Sequence, residues 1–273
     1  MPPRHERIGK QINGVWHRGI WLNFRRALWE TRPRSHRLAY YSFLARRALY
    51  HSGAEIGNDV EVEYGGVRFL VPRGFREVFH SFYLDETEPR TFELMTGLAG
   101  DVFVDVGANA GGYTVRLARR FRKVISVEPN PRAADVLGKN IGLNRLSNVQ
   151  VVQKAISDTN EETTMCVPSS GKTTRSSLVA KYDRGSYFPV STTTLDDLLK
   201  GYDRIDLIKI DAESAEVKVL RGGERALQRT SKLVIETGPW SESEAREILE
   251  AGGFEVADLD LKEKAKNIVA SKP

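Results

Sequence analysis

Val102-Phe103-Val104-Asp105-Val106-Gly107-Ala108-Asn109-Ala110-Gly111-Gly112 is the stretch that decides how this chain folds. Its first five residues are apolar apart from one acid, as expected for a strand buried on both faces. A glycine-rich turn follows, and residues 113–121 predict a helix carrying Val115, Leu117 and Ala118. The same order then recurs. Residues 124–128 read as a second strand, 132–143 as a second helix and 149–152 as a third strand. Residues 205–211 and 233–236 read as two more strands, with a helix at 242–251 and strands near 254–259 and 267–270. This alternation predicts an α/β fold, a mostly parallel sheet with helices on both faces. Such sheets bind ligands beyond the carboxyl ends of their strands. Asp105, Gly107, Glu128, Asp211 and Glu236 all fall at those ends.

The turn restricts the ligand. Gly107 and Gly111 let backbone approach a ligand without a Cβ in the way. A dinucleotide fingerprint needs glycine at position 109, where this chain has Asn109, so a nicotinamide dinucleotide is disfavoured. Glu128, 21 residues beyond Gly107, is placed to take both hydroxyls of a ribose. Asp105 suits a ligand with a cationic amino-acid part and no pyrophosphate, which favours S-adenosylmethionine.

Upstream, residues 53–98 predict a strand-rich lead-in. Val60, Val62 and Tyr64 alternate with Glu61 and Glu63, Gly65-Gly66 turns the chain, and 67–71 returns. Helical segments are expected around 75–82 and 89–98. Residues 1–52 predict two helices. Trp16, Ile20, Phe24 and Leu28 form one stripe, Pro33 breaks it, and Ser35 caps a second helix bearing Leu38, Tyr41, Ala45 and Leu49. The division expected is therefore 1–52, a basic helical extension; 53–98, the lead-in; and 99–273, the main domain.

Charge is unevenly spread. Residues 1–50 hold eleven Lys and Arg against two Glu, a net +9 in a chain of 273 residues totalling +5, which leaves the remainder at −4. A cationic arm on a mildly acidic body fits an anionic surface, either lipid headgroups or nucleic acid. Trp16, Trp21 and Trp29 suit a membrane interface and equally suit stacking on bases. The one cysteine, Cys166, forms no internal disulfide, and five scattered histidines show no ligand spacing, so no metal site is expected. Gly171-Lys172-Thr173 lacks the upstream glycine of a phosphate loop and reads as an ordinary loop. With no apolar run of spanning length and no signal-peptide core, a soluble cytoplasmic protein is expected.

Four blocks together resemble the FkbM-like family of class I S-adenosylmethionine-dependent methyltransferases. Residues 104–114 resemble its first motif, and Ser126-Val127-Glu128-Pro129-Asn130 its ribose-binding strand end. Thr193-Thr194-Leu195-Asp196-Asp197-Leu198 resembles its threonine-leucine-aspartate segment. Asp206-Leu207-Ile208-Lys209-Ile210-Asp211-Ala212-Glu213-Ser214-Ala215-Glu216 resembles its most specific signature, with Ser214 where that signature carries glycine. That serine could narrow the acceptor entrance or cap the following helix.

The resemblance implies a Rossmann-like, seven-stranded sheet and methyl transfer, usually to a hydroxyl oxygen of a small molecule, glycan or lipid-linked sugar. It implies that Asp105, Gly107 and Gly111 line the methionine part of the cofactor, with Asn109 and Thr114 adding polar contacts. Glu128 then holds the ribose beside Pro129 and Asn130, and Asp158 meets the adenine edge. Asp211 and Glu213 sit near the methyl group and the acceptor. The bland alternative for Asp211 is a helix cap. Residues 15–50 would touch a membrane where the acceptor is presented. An RNA methyltransferase gripping phosphates with that arm is the alternative.

Overall fold

The computed structural model describes residues 59–72, 84–168, 185–261 and 265–273. The chain divides into Met1–Ala54 and Glu55–Pro273, and all described residues lie in the second unit. The expected helices of 1–52, the segment 75–82 and the loop around 171–173 lie outside the described residues.

The hairpin pairs β1 (Val60–Tyr64) with β2 (Val67–Val71) around Gly65-Gly66. Helices α1 (Leu84–Thr87) and α2 (Pro89–Gly97) lead into β3 (Gly100–Val106). After the glycine turn come α3 (Thr114–Leu117), a 3-10 turn (Ala118–Arg120) and β4 (Phe121–Val127). Then follow α4 (Pro131–Leu143), β5 (Val149–Val152), β6 (Ala155–Ile156), β7 (Glu162–Pro168) and β8 (Gly185–Thr193). Next are α5 (Leu195–Leu198), β9 (Ile205–Ile210), α6 (Glu216–Arg221), α7 (Glu224–Gln228) and β10 (Thr230–Thr237). The described chain closes with α8 (Glu242–Ala251), β11 (Glu255–Leu261) and β12 (Lys266–Ser271).

Seven strands form the main sheet in the order β11-β12-β10-β9-β3-β4-β5. Every neighbouring pair from β10 to β5 is parallel, while β12 runs antiparallel to both β10 and β11. The strand order reverses at β3, where such sheets open a crevice. Alternation along the strands sorts the core into two layers. Val102, Val104, Val106, Ile208 and Ile210 pack on one face with residues of α5 to α8. Phe103 and Leu207 pack on the other with Met95 of α2 and Leu117 of α3.

Two expectations need correction. The helix expected over 113–121 is a single turn, because Phe121 is drawn into β4 and packs its ring 5.4 Å from that of Phe103. A three-stranded sheet, order β6-β8-β7, lies where no strands were expected. Its polar, Thr-rich alternation and the proline within β8, Pro189, hide it from an apolar pattern.

Helix α4 carries the hairpin. Asn140 accepts the Leu70 N–H through Oδ1 at 2.7 Å and donates through Nδ2 to the Ala110 carbonyl at 2.8 Å. Asn144 does the same for both backbone groups of Arg68. One buried asparagine thus ties the hairpin to the glycine turn. Asn140→Ala strands the Leu70 N–H and the Ala110 carbonyl, and we expect a loss of about 2–3 kcal/mol in urea unfolding. A change below about 0.5 kcal/mol would show that water replaces both bonds.

Candidate functional site

Where β3 ends, the chain turns through Gly107 at φ 78. A Cβ here would lie 1.9 Å from the Asp211 carbonyl oxygen, so only glycine permits the ends of β3 and β9 to meet this closely. The Asp211 N–H closes the contact on the Val106 carbonyl at 3.0 Å. The close approach that requires Gly107 is therefore made by the protein's own backbone. Gly111, at φ 88, is buried, and a Cβ there would meet Leu137 Cδ1 at 2.7 Å.

The strand ends line a cleft that is partly open to solvent. The first wall is Gly107, Asn109, Glu128 and Pro129, and the second is Asp211, Ala212 and Glu213. Lys154, Ile156 and Met165 form the far end. Glu128 is held before any ligand arrives. Its Oε2 accepts the Asn109 N–H and its Oε1 the Asn130 N–H, both at 2.8 Å. A carboxylate has about four acceptor directions, so each oxygen keeps one for a diol. Burial pushes the Glu128 carboxyl up to about 7, against the lowering effect of those two N–H groups.

Beneath the cleft runs a polar row. Ser126, Asp105 and Lys209 stand opposite one another on β4, β3 and β9. Thr114 Oγ1 donates to Asp105 Oδ2 at 2.7 Å and lies 2.7 Å from Ser126 Oγ. Burial raises the Asp105 carboxyl above its ordinary range, and the Lys209 ammonium opposes that rise. Lys209, only 7% exposed, pairs with Asp211 Oδ2 at 3.1 Å. Burial alone would lower its pKa, but Asp211, Asp105, Glu88 and Glu236 outweigh burial and hold the ammonium charged.

The expected site residues thus separate into two groups. Gly107, Asn109, Glu128, Pro129, Asp211 and Glu213 converge on the cleft. Asp105, Gly111 and Thr114 are buried behind its wall. Asn130 contributes its N–H to Glu128, while its side chain caps α4 by accepting from Arg132 and Ala133. Asp158 is exposed and outside the cleft lining, where its Oδ1 accepts from Ser157 Oγ at 3.0 Å.

Neither Asp211 nor Ser214 caps the helix after β9; the cap position is Ala215. Ser214 instead sits at φ 79 next to Glu213 at φ 47, a left-handed pair without glycine. Its N–H donates to Glu216 Oε1 at 2.9 Å. The Thr-Leu-Asp block is architectural: Thr194 caps α5, and Asp196 accepts the Ala226 N–H at 2.7 Å.

Four participants were missed from sequence. Lys209 and Ser126 were signalled, being polar residues inside apolar strand runs. Lys154 and Met165 carried no local signal, since only the tertiary fold brings them to the cleft. The lining fits S-adenosylmethionine: Glu128 offers a diol acceptor, and Asn109 Oδ1 is buried with no hydrogen-bond partner among the described residues. Among the described residues no cluster of potential metal ligands is present.

A model of the "Methyltransferase FkbM domain" matches residues 105–256. The chain is 27% identical over 191 residues to "Methyltransferase sdnD" of Sordaria araneosa, covering 56% of this chain and 73% of that protein. Among solved structures, Trm5b from Pyrococcus abyssi superposes with TM-score 0.46 at 16% identity, over 78% of this chain and 55% of that one. M. jannaschii TYW2 in complex with AdoMet superposes with TM-score 0.45 at 15% identity, over 79% and 86%.

Two outcomes follow from the geometry. If ribose hydroxyls donate to ionised Glu128, affinity for S-adenosylhomocysteine should be about tenfold weaker at pH 6 than at pH 8. Calorimetry across that window should show the change in the wild type and lose it in Glu128→Gln; equal slopes would remove Glu128 from binding. The sign for the free protein is opposite. Its raised folded pKa makes Glu128 stabilising below its ordinary 4.5, and that contribution is lost as pH rises through about 7. Ser214→Gly relieves a left-handed non-glycine residue, and urea unfolding should show a gain of up to about 1 kcal/mol. A loss would show that the side chain stabilises this turn.

Proposed function

Because the chain belongs to the methyltransferase FkbM domain family, whose cofactor is S-adenosylmethionine, we propose that it methylates a hydroxyl oxygen. The acceptor in this reading is a small molecule, a glycan or a lipid-linked sugar. One observation supports it above others: Asp211 and Glu213 stand on the cleft wall across from the diol acceptor Glu128. Because β9 and β4 flank β3, Asp211 and Glu128 line the cleft from opposite sides of its central strand, which supports giving them different tasks.

In this reading Glu128 holds the ribose, fixed by the Asn109 and Asn130 N–H groups. Asn109 Oδ1 accepts from the cofactor's amino-acid part. Asp105, Gly111 and Thr114 act from behind, keeping the turn in place. When bound, S-adenosylmethionine supplies a methyl group already activated on a sulfonium, with a neutral thioether as leaving group. The protein's main contribution is then alignment of the acceptor oxygen. Asp211 accepts the hydroxyl proton late in the step, and Glu213 orients the hydroxyl.

The basic stretch within residues 15–50 serves to hold the protein against an anionic membrane surface on the cytoplasmic side, where a lipid-linked acceptor is presented. Its charge supports this assignment, since eight arginines accompany one acid, Glu30, there. Among the described residues no helix is long and apolar enough to cross a membrane.

The test is methyl-labelled S-adenosylmethionine incubated with extract of the source cells, followed by organic and aqueous partition. Label should enter a lipid or glycan fraction as an ether stable to mild base; label confined to RNase-sensitive material would overturn the reading. Asp211→Asn should lower that transfer about 100-fold or more while S-adenosylhomocysteine affinity changes less than about threefold. Undiminished transfer would remove Asp211 from the chemistry.

A further inference from the structure

We infer that Lys209 is a positioning residue for the reaction, its buried ammonium holding Asp211 as an ionised carboxylate on the cleft wall. The inference rests on reading Asp211 as the proton acceptor.

The geometry begins with strand periodicity. Residues 207 and 209 share one side of β9 and Asp211 follows directly on its end, so a lysine stem rising from 209 ends beside the carboxylate of 211. Its Nζ is fixed from several directions. Asp211 Oδ2 lies 3.1 Å away, and the Tyr113 ring lies beneath it with its centroid at 5.4 Å. Asp105 stands directly across on β3. Tyr113 is itself held: its hydroxyl donates to Glu88 Oε1 at 2.9 Å. Glu88 in turn accepts from Asn267 Nδ2, which reaches it from β12 at 2.6 Å. The ammonium therefore has little room to swing away from Asp211.

The charges around Asp211 show why a cation is needed. Asp105, Glu128 and Glu216, from β3, the end of β4 and α6, each feel the Asp211 charge as a repulsion. Lys154 lines the same cleft from the loop after β5, but it is solvent-exposed, where water screens its charge. A carboxylate crowded by others takes up a proton and ceases to be an acceptor. Lys209, almost out of water, supplies the opposing charge where solvent screens it least. Glu88 and Glu236, facing Lys209 from the start of α2 and from β10, keep the ammonium charged. Among the described residues, Lys209 is thus the buried cation paired with this proton acceptor in a pocket of acids, and it acts without touching the acceptor molecule.

The test titrates the full-length protein labelled with 13C at aspartate Cγ, with Asp211→Asn identifying the Asp211 resonance. Lys209→Met should raise the Asp211 midpoint by about one pH unit or more, a tenfold gain in proton affinity, and Lys209→Arg should restore most of the difference. An unmoved midpoint, even with a lowered Tm, assigns Lys209 a structural role and overturns the inference. If Lys209→Met does not fold, the reciprocal measurement uses 15Nζ-labelled lysine. Asp211→Asn should then shift the Lys209 ammonium resonance, and an unmoved resonance overturns the pairing. Neither titration needs an acceptor molecule. Undiminished labelled transfer by Asp211→Asn would instead overturn the acceptor reading, and with it the role of Lys209.

Discussion

On the sheet face covered by α2 and α3, Asp105 and Lys209 oppose each other across the parallel pair β3 and β9, with Ser126 beside them on β4. Elsewhere this layer is filled by residues such as Phe103, Leu207 and Val234. A buried lysine in such a layer is tolerated only if carboxylates stay ionised around it. That requirement reaches outward. It fixes Asp211 at the end of β9, orders Thr114 over Asp105, and holds Tyr113 and Glu88 on the far side. The site is therefore arranged from the sheet upward, with loops added to a charge pattern the strands already carry.

Two features deliver a prepared cleft above that row. The crossing of Gly107 and Asp211 brings the glycine turn after β3 and the loop after β9 within one backbone contact. Glu128 is then locked by N–H groups from the turn and from the start of α4. Neither depends on a ligand, so binding spends little on ordering these groups. The one local departure from comfort lies at Glu213 and Ser214, both left-handed. Such strain in an acceptor-side loop is of the kind that surrounding structure must hold in place.

Most of the sheet could be read from sequence because its strands are continuous apolar runs ending in glycine or acid. The hairpin at 60–71 was equally legible, since strict alternation flanks Gly65-Gly66. The small sheet built from β6, β7 and β8 was not, because Thr and Ser alternate there and Pro189 interrupts the pattern. Residues that line the cleft, such as Asn109 and Glu128, were singled out through motif spacing, which places a side chain along the chain but not its depth. Asp105 and Thr114 therefore read as contacts, although both lie behind the wall. Lys209 was visible as a charge inside Ile205–Ile210, yet its meaning needed the neighbouring strand.

In the proposed reading, S-adenosylmethionine sits in the cleft between Glu128 and Asp211, with its reactive end toward Asp211 and Glu213. A crystal structure of the protein with S-adenosylhomocysteine tests this most directly. Both ribose hydroxyls should lie within hydrogen-bond distance of Glu128, at roughly 2.6–3.2 Å, with the sulfur directed toward Asp211 and Glu213. A nucleoside bound elsewhere, or one that leaves Glu128 untouched, would contradict it.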